Sequence, residues 1–151
     1  MFDKSTFLNQ ETDAQGSTQY TPVPDDEYPA VVEKVDYVEV QTKDGLSPQL
    51  LVFWNAQAPQ LEAITGLKKN VIRQSLWLDL TANGGLDMAK GRNVPLNRLR
   101  EALGQNVAGA LWKPTTLIGR PGKIKTKTRV VHDDTTGQDK FYTDVAAVTG
   151  L

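Results

Sequence analysis

The chain lacks cysteine entirely and carries one histidine among its 151 residues. Without cysteine there is no disulfide framework, no thiolate nucleophile and no cysteine-built metal site. With His132 alone, zinc cannot be held at H-x-x-x-H spacing. No apolar run approaches the roughly 18 residues that would cross a bilayer. The opening stretch, MFDKSTFLNQETDAQGSTQ, has no basic patch followed by an apolar segment, so it does not read as a signal peptide. A cytosolic, non-membrane protein of one domain is the default expectation. Glycines and a lysine occur together in GRPGK (Gly119–Lys123), but the G-x-x-x-x-G-K-[ST] frame of a phosphate loop is absent.

Net charge is also scarce, at −1, but it is unevenly spread. Residues 1–62 hold 11 acidic and 3 basic side chains, net −8, and residues 63–151 hold 7 acidic and 14 basic, net +7. A polyanionic partner for the second half would explain this, and so would mutual neutralisation of the halves in the fold.

What is present reads mainly as strands. Residues 1–27 form a polar, acidic arm, with Phe2, Phe7 and Leu8 as its local anchors and three prolines in Thr21–Pro29 extending its end. The domain occupies residues 28–151. Tyr28–Val40 is a long first strand whose apolar parity switches near Lys34, the mark of a bulge or strong coil. Gln49–Asn55 is apolar on both parities, as a strand covered on both faces would be, and Trp54 belongs to the core. A short helix fits Gln60–Thr65, stopped by Gly66.

Asn70–Thr81 alternates, with Ile72, Leu76, Leu78 and Leu80 inward and Gln74 the one polar exception. Arg73, Ser75, Trp77 and Asp79 take the outer face. NVPLNRLREALG is the clearest helix, with Asn93 as cap, Pro95 in the first turn, Leu96, Leu99 and Leu103 on one side, and Gly104 after its end. Trp112 is placed to pack this helix on the sheet. Two further strands flank HDDTTGQDK, which reads as a mobile loop. Five strands with one α-helix between strands 3 and 4 is the order of a five-stranded OB-fold-like barrel.

No catalytic constellation assembles. Asp133, Asp134, Asp139 and Asp144 could bind magnesium in a nuclease, but three of them sit in a Thr/Gly-rich loop where acidic residues are ordinary turn formers. No metal or cofactor is expected. Binding chemistry is better represented. Lys123, Lys125, Lys127 and Arg129 recur at every second position of GKIKTKTRVV, so in a strand they share one face over about 20 Å. Such a row suits consecutive phosphates, or guards a solvated edge against aggregation. Arg73 and Trp77 share the outward parity of the third strand and could stack on bases, unless Trp77 covers a small core under the arm. Phe141 and Tyr142 are neighbours, so one should be core and the other exposed, with Tyr142 the stacking candidate.

The ordered segments PVPDDEYPAVVEKVD, SPQLLVFW, NVPLNRLREALG, LIGRPGKIKTKTR and FYTDVAAV resemble a widespread family of small bacteriophage proteins. The resemblance runs over nearly the whole chain and implies an OB-fold, sequence-tolerant binding of single-stranded DNA in phage replication or recombination, no catalysis, and residence in the host cytoplasm. It implies phage replication or recombination proteins as further partners and leaves a homodimer open. The chain ends AAVTGL without the acidic tail that many bacterial single-strand binders use for recruitment. A competing expectation is an OB-like adaptor that contacts a recombinase, polymerase or nuclease through strand edges and the acidic arm.

Overall fold

A computed structural model describes residues 3–17 and 20–151. Five strands carry the fold: β1 (Glu27–Thr42), β2 (Gly45–Ala56), β3 (Val71–Trp77), β4 (Pro121–Asp133) and β5 (Gln138–Thr149). They pair in the order β1-β2-β3-β5-β4, and β4 returns to β1, so a single sheet closes into a ring. All pairings are antiparallel except β3 with β5, which meet in parallel at one bridge, Arg73 to Asp144. Three short α-helices accompany the sheet: α1 (Lys4–Leu8), α2 (Gln60–Thr65) and α3 (Val94–Ala102).

The parity switch in β1 is a bulge. Pairing with β2 slips between Val32 and Lys34, leaving Glu33 as the extra residue. Tyr28, Ala30 and Val32 point into the core ahead of it, and half-buried Val35 continues inward after it. In β2, Leu50, Leu51 and Val52 are buried in succession and Trp54 is fully buried, so both faces are covered there. The polar exception in β3 is explained by that tryptophan: the Trp54 indole N–H donates to Gln74 Oε1 at 2.9 Å. A buried donor left unpaired would cost about 1–3 kcal/mol.

Two of the helices, α2 and α3, add side chains to the core. α2 contributes fully buried Leu61 and ends at Gly66, whose φ of +80° makes the left-handed stop. α3 contributes Leu96 and Leu99, and Arg100 lies buried with its guanidinium 4.4 Å from the Trp112 ring. Trp112 also packs against the core and donates from Nε1 to Gln105 Oε1 at 2.8 Å. Gly122 is needed where β4 passes beneath these groups, since an added Cβ would stand 3.1 Å from both Leu103 and the Trp54 ring.

Four expectations are corrected. β3 ends at Trp77 rather than Thr81: Leu78 N still donates to Pro48 O, but Pro48 has no N–H to continue the ladder, and Leu80 bridges Leu86 instead. Asn93 stands before α3 without capping it by its side chain. Its Oδ1 accepts from Asp79 N at 2.7 Å, and its Nδ2 donates to Asp79 O and Asp87 O at 2.8 and 2.9 Å. HDDTTGQDK is not a long loop, since His132 pairs with Asp139 and Asp133 with Gln138, leaving residues 134–137 as the turn. The packed domain starts before residue 28: Val23 joins the core, and the Tyr28 hydroxyl donates to Pro24 O at 2.9 Å. In the arm, Phe2 lies outside the described residues, and Phe7 and Leu8 sit on α1 largely exposed.

Asn93 is fully buried, has a φ of 51°, and ties together the loop that leads into α3. Asn93→Ala should therefore cost roughly 2–5 kcal/mol in urea unfolding, the sum of several buried hydrogen bonds. Asn93→Gly loses the same bonds but fits the backbone, and should be milder by about 1 kcal/mol.

Candidate nucleic-acid interface

All four cations of the β4 row are exposed, while Ile124 and Thr126 between them are buried and Thr128 is half-buried. The row therefore lies on the outer face of the ring. It is not bare. Lys123 Nζ stands 3.1 Å from Glu27 Oε2, and Arg129 Nε donates to Asp144 Oδ2 at 2.8 Å. Asp144 holds the Arg129 guanidinium above its ordinary pKa, chiefly through that hydrogen bond. Lys125 and Lys127 make no ion pair among the described residues.

The acidic end of the arm runs beside this row. Thr126 N donates to Asp26 O at 2.8 Å, and Asp25 Oδ1 accepts from both the amide and the hydroxyl of Thr128, at 2.7 and 2.9 Å. Asp25, Asp26 and Glu27 line one hollow with Lys125 and Lys127. Part of the charge division seen in the sequence is thus neutralised across β4. The mechanism is simple, since the acidic segment continues the line of β1 along its partner strand.

Pairing registers carry the outer face across the whole sheet. Lys34 is opposite Phe53, Phe53 opposite Arg73, Arg73 opposite Asp144, and Asp144 opposite Lys127. Neighbouring strands lie about 4.8 Å apart, so this belt crosses about 19 Å of surface. Lys34 Nζ sits 4.9 Å from the Phe53 ring, and Arg129 sits 5.0 Å from the ring of its cross-strand neighbour Tyr142. Cationic heads and aromatic faces are therefore already interleaved.

Beside the Arg73–Asp144 bridge the sheet opens into a groove of about 340 Å³. Arg73, Arg129 and Tyr142 line it together with Phe141, Val71 and Tyr20. Three of the seven expected residues thus converge. Trp77 does not. It shares the outer face of β3 and is 48% exposed, but four strand residues place it about 13 Å from Arg73, and it lies outside the groove. Arg73 and Trp77 are consequently not a stacked pair, and no small core covers Trp77 among the described residues.

The expectation that one of Phe141 and Tyr142 is core also fails. They are 46% and 45% exposed, because the β4–β5 hairpin outruns the ring and neither of its faces is covered there. Phe53, Lys34 and Asp144 were not expected at the site. Phe53 stands in an apolar run, and only the pairing register shows which way it points.

The hairpin acids are spoken for individually. Asp133 meets Lys140 at 3.4 Å, Asp144 meets Arg129, and His132 contacts Asp139 at 2.8 Å and Asp134 at 3.6 Å. Among the described residues no three His, Asp or Glu side chains group as metal ligands. No helix is long and apolar enough to cross a membrane among these residues. The chain matches no protein-family model, and no curated protein matches it.

The turn of the hairpin that carries Phe141 and Tyr142 is tied to the Asp133 carboxylate. Asp133 Oδ1 accepts from Thr135 N at 2.9 Å, and this bond, with Lys140 adding to it, holds the carboxyl below its ordinary value of 3.8. A lowered folded value means the contribution is complete above that ordinary value and lost as pH falls through the lowered one. NMR of the Thr135 and Gly137 amides should show the turn loosening below pH 3.8, and Asp133→Asn should abolish that transition.

Proposed function

We propose that this chain is an OB-fold protein that binds single-stranded DNA without sequence preference and without catalysis. The observation that carries the reading is the outer face on which cations meet aromatic rings, Lys34 and Arg73 beside Phe53 and Arg129 beside Tyr142, with Asp144 between Arg73 and Lys127 as a counterion. Single-strand binders combine those two elements, a cationic track for phosphates and ring faces for bases. The strand order and the parallel meeting of β3 with β5 support the OB assignment. That architecture presents the outer face of strands 2 and 3 and the loop between strands 4 and 5 to oligonucleotides. Here those places hold Phe53, Arg73 and Trp77, and the projecting hairpin with Phe141 and Tyr142.

Lys125 and Lys127 are the best phosphate contacts, since they need not first release a carboxylate. Lys123 and Arg129 would exchange Glu27 and Asp144 for phosphate. The resemblance of the ordered segments to phage proteins supports a role for this binding in replication or recombination, in the cytoplasm of the infected host, beside phage replication or recombination proteins.

A gel shift of single-stranded against duplex DNA of equal length, at two salt concentrations, tests the proposal. Preference for the single strand is expected, and equal binding would refute it. If the four row cations each meet a phosphate, log affinity falls against log salt with a slope of about −2.8. Lys125→Glu with Lys127→Glu should weaken all sequences alike and flatten the slope by about 1.4. Tyr142→Ala should lose roughly tenfold in affinity at fixed fold, within the range of one stacked base. Quenching of tryptophan fluorescence by oligo-dT should vanish in Trp77→Phe, since Trp54 is fully buried and Trp112 packs against the core. Asp26→Asn with Glu27→Gln, which leaves the Asp25–Thr128 bonds intact, should tighten binding several-fold at low salt. A salt-independent DNA affinity combined with a stable protein partner would instead indicate the adaptor role.

A further inference from the structure

A second surface bears no relation to the cationic belt. Between β1, the segment after β3 and α3 lies a cleft of about 600 Å³ lined by Val35, Leu50, Leu78, Leu80, Leu86 and Leu96, with Pro114 at its edge. Asp36 lies on its margin, and the adjoining hollow shares Tyr37, Leu78 and Leu80 with it. That hollow adds Glu39, Asp79 and Asp87 against a single guanidinium, Arg92. The cleft is therefore apolar inside and acidic at the rim, which is wrong for a phosphate backbone and right for an apolar group flanked by cations.

The same chain presents such a group. Leu111 is 103% exposed, directly after a turn closed by Ala110 N to Val107 O at 3.3 Å. The next residue, Trp112, is pinned by Gln105 and Arg100, so the leucine is held outward by an anchored neighbour. Arg100 is buried beneath Trp112, so the exposed cation nearest to the leucine in sequence is Lys113, two positions on. We propose that the cleft is a self-association surface that takes Leu111 of a second copy of this chain in a two-fold dimer.

The spacing favours a closed dimer over an open chain. Leu111 precedes cleft-lining Pro114 by three residues, at most about 11 Å along the backbone. Knob and hole are thus side by side, and one two-fold axis between the copies satisfies both at once. Each Lys113 then approaches the partner copy's acidic rim.

The inference does not rest on the nucleic-acid reading, and its test uses no DNA. Sedimentation equilibrium of the full chain over a wide concentration range should show mass rising from 16.6 kDa to twice that value. Leu111→Asp should remain monomeric with an unchanged circular dichroism spectrum, and with the parent's melting midpoint at concentrations where the parent is also a monomer. Tyr37→Asp, at an exposed rim position, should raise the dimer dissociation constant at least tenfold. Mixing the two variants should restore part of the association, because one knob and one intact cleft still meet. Three results would overturn the proposal: a monomer at every concentration, a dimer indifferent to Leu111→Asp, or native mass spectrometry showing the monomer loaded with a small apolar ligand.

Discussion

Closure of the ring depends on one backbone bridge, Arg73 to Asp144, where β3 and β5 run parallel. Every other neighbouring pair is joined along a run of antiparallel register. With so little ladder between them, β3 and β5 are held by what lies behind, notably Ile72 and Val145 in the core. In front they part, and the groove lies beside the parting. The bridge thus has two consequences. It brings Arg73 onto the same patch as Lys127 and Arg129, which are more than fifty residues away in sequence, and it places Asp144 among them as a counterion. A fuller pairing would have left a flat sheet with the same charges and no recess.

The counterions decide how strong such a surface can be. A row of four cations on one strand face would repel itself, and this fold relieves the strain locally with Glu27 at one end and Asp144 at the other. The middle of the row, Lys125 and Lys127, faces the hollow that Asp25 and Asp26 share without closing on it. A polyanion entering there displaces water and mobile ions rather than fixed bonds. At the ends it must compete with carboxylates, which narrows the preference to ligands of higher charge density. Under the proposed function, sequence-tolerant affinity and a low background for isolated anions would both come from this arrangement.

Much of the frame was legible because it obeys the period of a strand. The bulge at Glu33 was written in the parity switch, the double-sided burial of β2 in its unbroken apolar run, and α2 in its glycine stop. Gln74 was visible as an exception, although its reason, the Trp54 indole, lies twenty residues upstream and needed the pairing register. The misreadings share one cause. Asn93 has the chemistry of a cap, yet its bonds go to Asp79 and Asp87, partners no local pattern reveals. Arg73 and Trp77 share a parity, but parity says nothing of the roughly 13 Å between them. HDDTTGQDK looked like loop because polar residues make turns, while Gly137, with φ at +71°, lets only four of them do so.

The hairpin shows why exposure there is not an accident of sequence. Along β4 the inward positions run Gly122, Ile124, Thr126, Thr128 and Val130, and burial declines steadily toward the last. The strand keeps its core-facing pattern after the core has ended. Val130 and its partner Phe141 are therefore apolar residues on the inner side of a ribbon that has left the ring, and Tyr142 stacks with Arg129 on the outer side. Exposed apolar ribbons invite edge pairing, and short polar turns are the economical alternative. A protein that instead extends its hairpin and keeps it aromatic retains a surface whose free energy falls when flat, hydrophobic rings cover it. Under the proposed function bases would be such rings, arriving attached to the phosphates that the adjoining row would take.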